Sequence, residues 1–278
     1  MSSIMNAAGA AVVPGEGGPA QAVLKATGVA WFVAAAAGQA AFIVFILGFF
    51  GLRIAMGDFE GLNDKTNIDG YIPGDRRGNL VFTTHVLLAS LMTAGGLTQL
   101  VPAVRRHAPS FHRWNGRLFM LVALVMSISG LWLVWGRGSY LSLISGIAIT
   151  GDGILIIVLA LVAWSLARAG DYDRHRRWAM RTFMVVSGVW FLRVGIMAWA
   201  ILNQGPLGMN RTLSGPADIM LIFGSYLVPL GILEIYLAAI ESRSVSFKLL
   251  TALLVLVATL VMSVGIFGAV AVMWLPVM

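Results

Sequence analysis

The chain has 278 residues, of which 59% are hydrophobic and 11% charged. Soluble domains carry about 25% charged residues, so this composition, with a mean hydropathy of +0.87, excludes a soluble globular enzyme, a disordered chain and a soluble nucleic-acid binder. The net charge of +7 therefore asks where the positive residues sit against a bilayer, and the lack of cysteine excludes disulfides, zinc–cysteine sites, iron–sulfur clusters and thiol catalysis.

Residues 1–22 are rich in Gly, Ala and Pro and have no basic n-region. They read as a mobile N-terminal tail, not a cleaved signal peptide, ahead of a single transmembrane domain over 23–278. A helix crossing the hydrocarbon core needs roughly 20 apolar residues. Seven stretches qualify, at about 28–55, 80–104, 116–136, 146–168, 178–203, 217–241 and 248–275. The fold class is all-α, a polytopic membrane helix bundle of about seven transmembrane helices. The connections are short except at about 56–79 and 204–216, where Gly, Pro, Asn and Asp suit turns. Of the 19 Lys and Arg residues, twelve fall on the side of the N-terminus and six opposite, with Arg193 inside a span. The positive-inside bias puts the N-terminus in the cytoplasm and the C-terminus outside, in a bacterial inner membrane.

A charge in hydrocarbon costs at least about 2.5–3.5 kcal/mol on insertion scales. The chain places His85 on the second span, Asp152 on the fourth, Arg193 on the fifth and Glu234 on the sixth. At 1.5 Å per residue, His85, Asp152 and Arg193 fall in the outer third to half of the bilayer. Two readings follow: a salt bridge between Asp152 and Arg193, or an outer polar pocket of all three for a substrate, a quinone headgroup or a proton path. Glu234 lies nearer the inner face, within reach of the inner arginines.

Two inner edges are the most distinctive features. One reads R-R-H-A-P-S-F-H-R-W-N-G-R from Arg105 to Arg117, the other D-Y-D-R-H-R-R-W-A-M-R from Asp171 to Arg181. Each sets a His beside arginines at the start of an outward-running helix, so His112 and His175 share a depth, each followed four residues later by a small residue, Gly116 or Ala179. Bis-imidazole ligation of a haem b needs one His from each of two helices at matching height. Arginines such as Arg113 and Arg176 would pair with its propionates. Alternatively, Arg105, Arg106, Arg117, Arg177 and Arg181 contact anionic lipid headgroups, with Trp114 and Trp178 as interfacial anchors. On the second span His85, Leu88, Met92, Gly95, Gly96 and Gln99 share one face. That face permits either a flat cofactor at His85 or close helix packing. At the height of His85 the fourth span offers Asp152, not His, so a second bis-His haem lacks a ligand. His107 lies mid-loop and is given no role.

The segments His85 to Gln99, P-S-F-H-R-W-N-G-R at Pro109 to Arg117 and H-R-R-W-A-M-R at His175 to Arg181, together with Arg193, resemble an uncharacterised family of bacterial multi-pass membrane proteins. Pro109, His112 and Gly116, after a helix His, also resemble the P-x-x-H-x-x-x-G pattern of ascorbate-reducible diheme b-type cytochromes. That second resemblance implies a four-helix core carrying electrons across the membrane on four histidine ligands. This chain offers three, which leaves a single haem, a degenerate pocket or no haem as alternatives.

The expectation is an integral inner-membrane protein whose second to fifth spans hold a b-type haem on His112 and His175, transferring electrons from a quinol or small reductant. The alternative is a non-haem accessory subunit or a lipid or small-molecule binder. Expected partners are phospholipid, a quinone, and a membrane complex or homo-oligomer, with no nucleic acid.

Overall fold

The computed structural model describes residues 18–64 and 68–278. The expected tail up to residue 17, and Lys65 among the outer positive charges, lie outside the described residues. Among those described, every regular element is a helix. Helix α1 (Pro19–Phe45) opens on a proline, whose fixed φ and missing N–H suit a first turn. Residues 19–22, expected in the tail, are therefore its first turn, and Ala20 and Gln21 are buried. A π-helical turn, Ile46–Gly51, carries α1 into α2 (Leu52–Met56), which ends on Gly57 at φ +76°. Helix α3 (Arg76–Leu100) starts at Asp75, whose carboxylate accepts from the Gly78 N–H at 2.8 Å. It stops at Val101, because the residue before a proline disfavours helix.

The short α4 (Pro102–His107) leads into α5 (Pro109–Trp135). The latter begins well before the expected position 116, so His112 and Arg113 stand on its first turns. Helix α6 (Leu143–Ala169) is capped by the Ser142 and Ser145 side chains and closed by Gly170 at φ +77°. Next come α7 (Tyr172–Val186), α8 (Gly188–Leu202), α9 (Pro216–Glu241) and α10 (Val245–Gly268). A second π-helical turn, Ala269–Trp274, follows α10.

Six spans, Pro19–Met56, α3, α5, α6, α9 and Val245–Val277, are each long and apolar enough to cross a bilayer. The expected continuous fifth span, 178–203, is broken instead. Helices α7 and α8 pass as a span only together, and they meet at 52°. The break falls at the Ser187–Gly188 pair, and Gly/Ser pairs are among the common sites of sharp helix kinks. The chain is a multi-pass helical membrane protein.

Two cores organise the bundle. Helix α1 packs along α10, and α10 along α8, around Phe42, Phe49, Trp190, Met262 and Trp274. Trp274 stands 5.3 Å from Phe42 between ring centroids. The second core joins α3, α5, α6, α7 and α9 through Met92, Phe119, Met126, Leu159, Ala163 and Tyr226. At the end of the bundle where α5 finishes, Arg137 is 3% exposed and latches the 57–75 connection to the helices. It donates to Asp75 Oδ2 at 2.9 Å, to Asn79 Oδ1 at 2.7 Å and to the Gly70 carbonyl at 3.3 Å.

Candidate functional site

The four segments at the arginine–histidine end of the second core, α3 with α4, α5, the end of α6, and α7, enclose a cavity of about 750 Å³. Cofactor pockets typically span roughly 300–1,000 Å³. His112 and His175, on different helices, both line it, as do Gly116 and Ala179. The two histidines, each with a small residue one turn beyond it, thus line the same cavity. The walls are apolar and aromatic, from Phe119, Met120, Trp164, Met180 and Phe183.

The two imidazoles differ in how they are held. His175 Nδ1 lies 2.8 Å from the Ala163 carbonyl oxygen of α6. A carbonyl only accepts, so Nδ1 carries a proton, and in the neutral ring Nε2 keeps its lone pair. This is the second-sphere bond that ordinarily orients a metal-ligating histidine. His112 Nδ1 is buried without a hydrogen-bond partner, and the ring shares the cavity with His175 and Arg105. A buried, unpartnered ring nitrogen is an exception among native polar groups.

The lining also carries Arg105, Arg113, Arg117, Arg168 and Arg176 and no Asp or Glu. None of these five forms an ion pair with a carboxylate among the described residues. Arg113 donates to the Ser110 hydroxyl at 3.1 Å, and Arg117 lies 4.8 Å from the Trp114 ring. Five cations without a counter-charge around an apolar cavity suit an amphiphile with an anionic edge. Of the arginines expected at lipid headgroups, Arg106 is exposed and outside the cavity lining. Two are engaged elsewhere. Arg181 makes a bidentate pair with Glu234 of α9, at 2.6 and 2.8 Å, and Arg177 pairs with Glu241. Glu234 thus meets one of the arginines expected within its reach.

The shared face of α3 packs on α5. Asn115 donates to the Gly95 carbonyl at 2.9 Å and to the Thr98 hydroxyl at 2.8 Å, and Gln99 donates to the His112 carbonyl at 3.1 Å. A side chain at Gly96 would run into Phe119 and Phe183, at 2.9 and 3.0 Å. The glycines therefore serve close helix approach, while Gly96 and Gln99 also reach the cavity. Sequence reasoning missed Asn115. The dipeptide Asn115–Gly116 reads as a turn, yet it lies inside α5 and fixes the register of the cavity wall.

The outer cluster does not form as expected. No hydrogen bond or ion pair joins any two of His85, Asp152 and Arg193. His85 Nδ1 meets the Ser129 hydroxyl of α5 at 2.9 Å. Arg193 donates to its own helix at Val189 O, 3.2 Å away, and lies 5.4 Å from the Phe42 ring of α1. Asp152 sits against Gly188, where a Cβ would lie 3.2 and 3.3 Å from its two carboxyl oxygens. The expected Asp152–Arg193 salt bridge is absent, because α6 and α8 present these residues toward different neighbours, α9 and the bend for one and α1 for the other.

No curated protein and no solved structure matches the chain. The family described as "Predicted membrane protein (DUF2306)" has a model that matches residues 82–220, half of the chain, a stretch that contains the whole cavity lining. The chain belongs to this family.

Proposed function

We propose that this protein is a b-type membrane cytochrome, holding one haem in the arginine–histidine cavity and passing electrons within the bilayer. The observation that carries the reading is the pair of histidines, one from α5 and one from α7, lining a single apolar cavity, with the Nε2 of His175 freed by the bond to Ala163. His112 and His175 would hold the iron, and Arg113 and Arg176 would hold the propionates. Bound there, the haem supplies one-electron chemistry. The chain's own residues would orient one ligand through the Ala163 carbonyl, leave room for the group at Gly116 and Ala179, and shield it from water with Phe119, Trp164 and Phe183. The Lys and Arg excess at this end supports its facing the cytoplasm of a bacterial inner membrane.

A second reading has one observation in its favour. Five uncompensated arginines would equally hold the phosphate of a phospholipid whose chains fill the cavity. The purified protein in mild detergent separates the two. The haem reading expects a Soret band with about one haem per chain, lost in both His112→Ala and His175→Ala while the variants keep the wild-type elution profile. A colourless, folded protein that retains phospholipid through purification, after expression with haem supply, overturns it.

A further inference from the structure

We propose that Asp152 is a proton-binding site in the middle of the bundle, sited at the break of the fifth span and separate from the arginine–histidine cavity. Three observations meet there. First, Asp152 Oδ1 is fully buried and has no hydrogen-bond partner. Second, no cation answers it. The ion pairs elsewhere in the chain leave it out, and Arg193, five residues beyond Gly188, turns to Val189 and Phe42. Third, both carboxyl oxygens lie over the Gly188 backbone, where the span bends by 52°.

The elements packed on α6 are α5, α7 and α9. Among the described residues no ion pair reaches Asp152, and the neighbours at its flanking glycines are uncharged: α5 contributes Leu131 beside Gly153, the bend contributes Gly188, and α9 contributes Tyr226, whose hydroxyl lies near Gly151. Tyr226 is the one titratable neighbour these contacts place there, and it forms no hydrogen bond with Asp152 among the described residues. An ionised carboxylate without cation or donors is strongly disfavoured in an apolar bundle. Binding one proton removes that charge and turns one oxygen into a donor. A metal or sodium ion would need several oxygens, and no group of three acidic or imidazole ligands occurs among the described residues. The first turn of α8 presents N–H groups that favour an anion, yet none bonds the carboxyl. Loss of the proton would therefore have to draw in a donor or water at the bend, which couples ionisation of Asp152 to the angle between α7 and α8.

Infrared spectroscopy of the full-length protein reads this directly. At neutral pH the wild type should show a protonated-carboxyl C=O band, downshifted in D2O, absent from Asp152→Asn and moved in Asp152→Glu. Raising the pH should bleach the band and change the near-UV circular dichroism of the aromatic residues, and the latter change should be missing in Asp152→Asn. The wild-type titration needs no variant, so it stands even if one fails to fold. A wild-type spectrum without the band at neutral pH overturns the proposal. So does a band that persists in Asp152→Asn, or one bleached by sodium at constant pH. None of these readings depends on whether a haem is bound.

Discussion

At Gly265 α10 packs directly on the α8 backbone, and replacing it with Ala tests whether that contact sets the stability of the first core. A Cβ at Gly265 would press on the Val194 carbonyl oxygen of α8 and lie 2.8 Å from Val194 Cγ1 and 2.9 Å from its carbonyl carbon. The carbonyl is backbone and cannot swing aside. Restoring an ordinary 3.4 Å contact from 2.9 Å parts the helices by at least the difference, about half an ångström. A gap of roughly 0.5–1 Å forfeits a quarter to a half of each dispersion contact, and overpacking typically costs about 1–3 kcal/mol. Against this, Ala gains up to about 1 kcal/mol over Gly in helix propensity. The expected net loss is about 1–2 kcal/mol. Gly231 of α9 is the control, since a Cβ there meets nothing within 4 Å, and Gly231→Ala should be neutral or slightly stabilising. Denaturant titration in detergent micelles reads both. Gly265→Ala matching the wild type, or matching Gly231→Ala, would refute the claim that backbone approach between α8 and α10 is what the glycine serves.

Two further outcomes are expected. Asn115→Ala removes two bonds between α3 and α5; at about 0.6 kcal/mol each for interhelical bonds in membranes, thermal unfolding should report a loss near 1 kcal/mol, and no loss would mean the apolar face alone fixes the register. The Asp75 carboxyl is held below its ordinary range by the Gly78 N–H first and then by Arg137, with burial opposing. A depressed carboxyl stabilises the fold above its unfolded pKa, and that contribution disappears as pH falls through the folded one. Melting temperatures of wild type and Asp75→Asn should therefore differ at neutral pH and converge on acidification, and curves that stay parallel would contradict the role given to Asp75.

Apolar run length located the spans well, because hydrocarbon thickness imposes it on sequence directly. It was less informative at their ends. Arg105 to Arg117 reads as a polar loop, yet Pro109 starts a helix there and puts His112 on a turn, since an interfacial helix tolerates arginines that reach out to water. That His112 and His175 line one cavity was legible from equal depth and matched small residues. The Asp152–Arg193 pairing was not, because depth says nothing about which way round the helix a side chain faces. The break at Ser187–Gly188 left its signal in the Ser–Gly pair, hidden within an apolar stretch and lacking a proline. Asn115, Ser129 and Tyr226 gave no sign, as their partners are neighbours only after packing.

The pairing of Arg181 with Glu234 also bears on how the protein is made. Helix α7 carries Arg174, Arg176, Arg177 and Arg181 and does not qualify as a span without α8. Each arginine near a helix centre opposes translocon insertion by about 2.5–3.5 kcal/mol. The carboxylate that answers Arg181 emerges from the ribosome 53 residues later. The fifth span is thus synthesised before the carboxylate that pairs with Arg181, and that contact forms only once α9 has followed. Docking of α7 on α9 is in this sense post-insertional, whereas the cavity walls, drawn from α3 to α7, are all synthesised before α9.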